Sequence, residues 1–141
     1  NKIYPNREEL LEDVAKIYRA FIKQLYDAGC RNLQLDDCSW GVCVDPAAPF
    51  VFGVEPEKMG DIMDQLLKVN NLALEGKPDD LTVATHICRG NYNSSWASRG
   101  GYEPVAERLF AHENVDAYYL EFDDARSGGF ERLRAKKSFW D

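Results

Sequence analysis

The sequence predicts an α/β protein built from parallel β/α units. Three observations lead to this prediction: helix-like and strand-like segments alternate, the strand-like segments are short and apolar, and each of them ends in polar residues. Strands that alternate with helices in this way pair in parallel through right-handed crossovers. We therefore expect the polar residues to meet at one edge of the sheet, where parallel α/β proteins carry their chemistry.

The predicted helices follow from apolar residues that recur three and four positions apart. The first helix spans Arg7 to Ala28, and a glycine follows it, as at many helix C-termini. The second helix spans Pro56 to Glu75, and a third runs from about Glu103 to His112. A shorter fourth helix is expected in the tail, residues 128–141.

The predicted strands are short segments rich in apolar residues. They lie around Leu33 to Asp36, within residues 80–88 and within residues 116–122. The stretch from Gly41 to Val54 is rich in proline, glycine and alanine, which favours a loop of functional length.

The composition bounds the class of protein. A chain of 141 residues, of which 45% are hydrophobic, suffices for one domain with a core. Its 17 basic and 24 acidic residues give a net charge of −7, which argues against nucleic acid or an anionic membrane surface as a partner. No apolar stretch is long enough for a membrane span, and the N-terminus lacks the apolar core of a signal peptide, so we expect a cytoplasmic protein. In that reducing compartment the four cysteines are expected to be free thiols.

Polar residues end each predicted strand. Asp36 and Asp37 follow the first, His86 and Cys88 the second, and Glu121 the third. Side chains two positions apart on a strand project to the same side, so the histidine and the cysteine could both reach one ion. Imidazole, thiolate and carboxylate are zinc ligands, and a catalytic zinc site uses three protein ligands. A buried histidine bonded to backbone beside a core cysteine explains the same spacing, and spacing alone leaves both interpretations open.

Several stretches of the sequence resemble one known family. LQLDD, THICRGN, SRGGYEPVAERLF and VDAYYLEFDDARSGGFERLR look like the C-terminal catalytic domain of cobalamin-independent methionine synthase and its short bacterial relatives, in the same order. The resemblance implies a (β/α)₈ TIM barrel, of which residues 1–141 would hold about three strands without those before and after. It also implies methionine biosynthesis by a zinc-dependent methyltransferase, which moves a methyl group from methyltetrahydrofolate to a thiol, homocysteine in the enzyme proper.

The resemblance implies metal ligands at three positions. The family's histidine and cysteine ligands fall on His86 and Cys88, and its glutamate falls on Glu121. Counting back from the Arg126-Ser127 pair would place the third ligand at Asp123 instead. A strand aligns without gaps where a loop can gain residues, which favours Glu121.

The resemblance also implies substrate contacts at the end of the first strand. Asp36 matches the aspartate that holds the amino group of homocysteine, and Asp37 stands where the full-length enzyme has a glutamate. Arg89 and Asn91 are candidates for orienting the ligand loop, with a surface ion pair and a turn as equally favoured interpretations.

The match to the family is incomplete. Its fourth zinc ligand, a cysteine near the end of the barrel, has no counterpart, and Cys30, Cys38 and Cys43 lie outside the matching motifs. Since a few strands cannot close a barrel, we expect a homo-oligomer formed through the open edge and an isolated chain that is inactive. The alternative function is a non-catalytic half-barrel fragment that self-associates and retains at most a weak metal site.

Overall fold

The protein has an α/β fold. The computed structural model describes residues 3–122 and 124–129. Strands β1 (Asn32–Asp36), β2 (Thr82–Ile87) and β3 (Ala117–Leu120) form one parallel sheet in the order β1-β2-β3. The predicted fold class is therefore confirmed.

Two long helices lie close to their predicted spans. The first, α1 (Arg7–Asp27), is capped by Asn6, whose side chain accepts a hydrogen bond from Glu9 N at 2.9 Å. The second, α4 (Met59–Leu74), follows a 3-10 turn at Pro56–Lys58. In the described part of the chain, no helix is both long and apolar enough to cross a membrane.

Two short helices occupy the stretch after β1 that was predicted as a loop, so that prediction was wrong. They are α2 (Cys38–Cys43) and α3 (Ala48–Phe52). Asp37 caps α2 by accepting a hydrogen bond from Ser39 N at 3.1 Å, and the Trp40 side chain is fully buried in the core. Helices this short are not stable alone, and here packing stabilises them.

The last described helix, α5 (Ala106–His112), begins three residues later than predicted. The residues before it form a turn, in which Tyr102 O accepts hydrogen bonds from Val105 N and Ala106 N at 3.1 and 2.8 Å. Pro104 within this turn has no N–H to donate. The predicted fourth helix, residues 128–141, lies almost wholly outside the described residues.

The helices cover one face of the sheet. Leu33 and Val83, on neighbouring strands, pack in one core cluster with Ile22 of α1 and Leu74 of α4. A second cluster joins Ile87 to residues of α2, α4 and α5. This packing follows from the two-residue period of a strand, which directs alternate side chains toward the helices.

The opposite face of the sheet carries polar side chains. Gln34 and Asp36 on β1 are exposed, as is Tyr119 on β3, while His86 on β2 is half-buried. Asp36 pairs in register with His86, and His86 with Tyr119. Because the strands are parallel, the predicted clusters of polar residues lie at a single edge of the sheet.

Candidate functional site

The candidate site lies where β1 and β2 end side by side. Asp37 N donates to His86 O at 3.0 Å, which extends the strand pairing beyond Asp36. Immediately after it, the Cys38 and Cys88 sulfurs lie 3.4 Å apart. This contact was not predicted, although the spacing contains the signal: Cys38 follows Asp36 by two residues, as Cys88 follows His86.

The cysteines are free thiols, as predicted, and differ in their surroundings. Cys38 is exposed, Cys88 and Cys30 are half-buried, and Cys43 is buried. Burial raises the pKa of Cys43 to about 12, so it stays a protonated core thiol. Desolvation, and then the hydrogen bond with Cys88, raise the pKa of Cys38 to about 11, so without a bound ion this thiol is protonated at neutral pH.

A glycine allows α2 to approach the end of β2. A Cβ atom at Gly41 would overlap the Cys88 carbonyl oxygen and would lie close to the Cys88 carbonyl carbon, with Ile87 Cγ2 farther away. Beyond the strand, Gly90 has a φ of 74° and its N–H donates to the Cys88 sulfur at 3.4 Å. The close packing of α2 against β2 therefore places the two sulfurs together.

Asp36 is the accessible carboxylate of the site. It is exposed on the open face, and the Gln34 amide donates to its Oδ1 at 2.7 Å. This hydrogen bond fixes one carboxylate oxygen and leaves the side chain open to solvent. The arrangement suits a carboxylate that binds an ammonium group.

Asp37 points to the helix side of the sheet, where both of its oxygens have partners. One accepts from Ser39 N at the start of α2, and the other accepts from the Asn70 amide at 2.6 Å. The same amide nitrogen donates to Glu113 Oε1 at 2.8 Å. These contacts give Asp37 a structural role at the start of α2.

Glu113 is a buried carboxyl group that the sequence reasoning missed. Burial, opposed by the Asn70 hydrogen bond, raises its pKa from 4.5 to about 7, and the Asp37 charge adds to the increase. No periodic pattern or motif marks this residue, which directly follows α5. Only the packed structure brings it beneath the strand ends.

Glu121 is engaged by other protein groups. Its Oε2 accepts a hydrogen bond from Arg89 N at 2.9 Å, and its Oε1 forms an ion pair with Arg126. The side chain is mostly buried, with 15% of its surface exposed. Ligation of a metal by Glu121 would compete with the Arg126 ion pair. The alternative position, Asp123, lies outside the described residues.

Arg89 stabilises the ends of β2 and β3 from the interior of the protein. Its guanidinium is fully buried and donates to Gly100 O at 3.1 and 2.7 Å and to Tyr102 Oη at 3.2 Å. The Tyr102 hydroxyl in turn lies within hydrogen-bonding distance of the carbonyls of Ile87 and Glu121. The interpretation of Arg89 as a surface ion pair is therefore wrong, because the side chain is inside the protein. Asn91 is exposed in the turn that follows.

The donors at this edge do not form a complete metal site. Among residues 3–122 and 124–129, no three His, Cys, Asp or Glu side chains lie close enough together to hold an ion. The chemical types fit zinc, because thiolate and imidazole are preferred zinc ligands. His86 and Cys88 leave β2 on the same side, so a change of rotamer could direct both to one ion.

The fold and this edge define a class: parallel β/α units whose polar groups gather at the carboxyl ends of the strands. Comparison with a solved structure is more specific. A Listeria monocytogenes protein described as a "putative vitamin-B12 independent methionine synthase" matches 87% of this chain, with 36% identity and a TM-score of 0.65. This chain corresponds to 33% of that protein, and it is methionine-synthase-like in this sense.

Two curated relatives come from Bacillus subtilis strain 168. They are the uncharacterized proteins YxjH and YxjG, which are 46% and 44% identical to this chain over 138 residues. The chain spans 36% of the length of each relative. No protein-family model matches the chain.

Proposed function

We propose that the chain is a segment of a zinc-dependent methyltransferase that moves a methyl group from methyltetrahydrofolate to a small thiol, homocysteine. One observation carries the proposal: Asp36, His86 and Cys88 occupy the same edge of two adjacent parallel strands. The likeness to the Listeria protein supports the class of reaction. Homocysteine needs both an ammonium-binding group and a thiol-binding group, and this edge offers candidates for both.

The proposed metal ligands are His86, Cys88 and Glu121. Zinc bound there would act as a Lewis acid that keeps the substrate sulfur deprotonated near neutral pH. The Cys88 sulfur accepts a hydrogen bond from Gly90 N, which would stabilise negative charge on that sulfur. Glu121 would have to exchange its ion pair with Arg126 for the metal.

Asp36 is the proposed substrate-binding carboxylate. Its exposed side chain would accept charge-assisted hydrogen bonds from the ammonium group of homocysteine and so orient the thiol. Asp37, its neighbour, would contribute through the position of α2, whose first turn it caps. Arg89 would hold the ends of β2 and β3 in place through Tyr102, and Asn91 would belong to the turn of the ligand loop.

The zinc content of the purified chain tests the metal site. We expect near-stoichiometric zinc in the unchanged chain and its loss from His86→Ala and Cys88→Ser, measured by elemental analysis after dialysis. The matched controls are His112→Ala, an exposed histidine at the end of α5, and Cys30→Ser, a half-buried thiol away from the strand ends. A chain that takes up no zinc from excess metal contradicts the proposed site.

Binding of homocysteine to the zinc-loaded chain tests the substrate. Asp36→Asn should weaken binding by about tenfold or more, because it removes a charge-assisted hydrogen bond worth about 1.5–3 kcal/mol. Asp79→Asn, at another exposed aspartate, should bind as the unchanged chain does. Equal affinities of all three proteins, measured by calorimetry, would remove Asp36 from the substrate site.

A second candidate function is a non-catalytic fragment that associates through its open edge. It is favoured by β1 and β3, which are edge strands in the described part of the chain. Exposed apolar side chains on α1 offer a second contact surface, since Ile17, Tyr18 and Phe21 are 67%, 51% and 54% exposed. Contiguous exposed apolar surface marks interaction sites. Stable association of a chain that binds neither zinc nor thiol would favour this candidate over the methyltransferase.

A further inference from the structure

The sulfur pair at the ends of β1 and β2 leads beyond the ligands named so far. We propose that Cys38 is a metal ligand of this chain, which joins His86 and Cys88 on the same ion. The identity of the ion, zinc, rests on the proposed function. Cys38 would give this zinc ion a second thiolate ligand. Sequence comparison alone places Cys38 outside the site, whereas the register of β1 and β2 places it inside.

The separation of the sulfurs fits joint metal binding. Cys38 Sγ and Cys88 Sγ lie 3.4 Å apart. Two thiolates on a tetrahedral zinc, each with a Zn–S bond of about 2.3 Å, lie about 3.8 Å from each other. A disulfide would require a separation of about 2.0 Å. The observed distance is much nearer to that of the metal-bound pair.

The backbone holds the sulfurs at this distance. Asp37 N donates to His86 O, so the residues that follow leave the two strands side by side. Gly41 has no Cβ, and its backbone lies directly against the Cys88 carbonyl, which fixes α2 close to the end of β2. A metal would therefore bind two sulfurs that the fold has already brought together, with little entropy lost in ordering them.

Cys38 is also accessible to a metal ion, and its sulfur can accept a further bond. It is exposed, so an ion can reach it from solvent, and its sulfur makes its hydrogen bonds with Cys88. Glu121, in contrast, has one oxygen on Arg89 N and the other on Arg126. Ligation by Cys38 breaks no ion pair, whereas ligation by Glu121 does.

The resulting ligand set is chemically coherent. With Glu121 kept in its ion pair with Arg126, Cys38 takes the third ligand position, and two thiolates with one imidazole form the Cys₂His set found in catalytic zinc sites, which leaves a fourth position for a substrate thiol. The sulfurs are near one another, and the remaining movement falls on the His86 imidazole, which shares their side of the sheet. The set would hold soft divalent ions in preference to magnesium or calcium.

Cobalt substitution counts the thiolates directly. Co²⁺ in place of zinc gives a near-ultraviolet charge-transfer absorption that grows with the number of bound thiolates, and visible bands that report tetrahedral geometry. We expect Cys38→Ser to lose about half of the charge-transfer absorption and to bind Co²⁺ at least about tenfold more weakly, since even groups that only orient a ligand contribute this much. At Co²⁺ concentrations that saturate the weakened site, Cys88→Ser should lose a similar share although it releases zinc on dialysis, and the double variant should lose all of it.

A second measurement does not depend on comparing variants. Alkylation of the zinc-loaded chain, followed by mass spectrometry, should show Cys38 and Cys88 protected together and Cys30 modified. After zinc is removed with a chelator, the exposed Cys38 should lose this protection and be alkylated as well. Cys30→Ser is the matched control in the cobalt experiment, and its spectrum should equal that of the unchanged chain.

The outcomes separate this proposal from the proposed function. Full charge-transfer intensity and unchanged affinity in Cys38→Ser, with metal lost from His86→Ala and Cys88→Ser, would overturn the role of Cys38 alone. Two-thiolate intensity that survives His86→Ala would support Cys38 and contradict the proposed zinc centre. A chain that binds neither Co²⁺ nor zinc would overturn both.

Discussion

At the scale of single residues, the buried Glu113 should make the stability of the protein depend on pH. Its pKa is raised by burial from 4.5 to about 7, so the folded state favours the protonated form. The contribution of Glu113 to the free energy of unfolding is therefore fully present below pH 4.5. It is lost as the pH rises from 4.5 to about 7, because the unfolded chain releases this proton at lower pH than the folded chain does. The difference in pKa corresponds to at most about 3 kcal/mol above pH 7.

Glu113→Gln should remove this part of the pH dependence. The variant should equal the unchanged chain near pH 4 and exceed it at pH 8, by up to about 3 kcal/mol in the free energy of unfolding. Urea titrations across this pH range measure the difference. Glu57→Gln, at an exposed glutamate, is the control and should track the unchanged chain throughout. Parallel curves for Glu113→Gln and the unchanged chain would contradict the raised pKa.

Sequence reasoning at this scale found residues near the edge but not their contacts. It placed Asp36, His86 and Cys88 together because strand ends can be recognised from apolar runs followed by polar residues. It left Cys38 out, because that residue lies outside the motifs that resemble the family, and the contact of its sulfur with Cys88 follows only from the pairing of β1 with β2. It could not detect Glu113, whose environment is made by α4 and Trp40 rather than by its neighbours in sequence.

At the scale of elements, the packing of α2 on β2 is the sensitive contact. Gly41→Ala would place a methyl group on the Cys88 carbonyl oxygen, so α2 must move away from β2. We expect a loss of about 1–3 kcal/mol in the free energy of unfolding, typical of overpacking, despite the better helix propensity of alanine. Metal affinity should fall as well, because the movement separates Cys38 from Cys88.

Gly60→Ala provides the matched control for this prediction. Gly60 also lies in a helix, but a Cβ there would meet only the terminal nitrogen of Arg108, which can move. This substitution should leave stability unchanged or raise it by up to about 1 kcal/mol. Thermal unfolding of both variants decides the matter, and equal stabilities would show that α2 tolerates a methyl group at residue 41.

The long elements were predictable and the short ones were not. Helices α1 and α4 carry several turns of apolar periodicity, so their spans could be read from spacing. Helices α2 and α3 have 6 and 5 residues, too few to show a period. Their stability comes from Trp40 and Ala48 in the core, which depends on elements distant in sequence.

At the scale of the whole molecule, the alternation of strands and helices predicted the parallel sheet. Each crossover places a helix on the same face, so the remaining face holds Gln34, Asp36 and Tyr119 in contact with solvent. In the described residues β1 and β3 are edge strands with unpaired backbone groups. The chain spans 36% of the length of each Bacillus relative. Because three strands do not close a barrel, the closed barrel stays a prediction.

We expect the isolated chain to self-associate. Edge strands and the exposed apolar residues of α1 both favour association. Sedimentation velocity should show a sedimentation coefficient that rises with protein concentration, and Tyr18→Lys with Phe21→Lys should shift the midpoint to higher concentration. Lys23→Ala, at a charged position of the same helix, is the control. A monomer at every concentration would count against the predicted homo-oligomer.

The pairing of β1 with β2 also provides a way to measure how fast distant parts of the chain come together during folding. Cys38 and Cys88 are 50 residues apart in sequence, yet their sulfurs meet because the two strands share a register. Closing so long a loop is an entropically slow step compared with forming α1 or α4. The rate at which a bifunctional thiol reagent links the two cysteines during refolding would therefore measure the rate at which β1 and β2 pair.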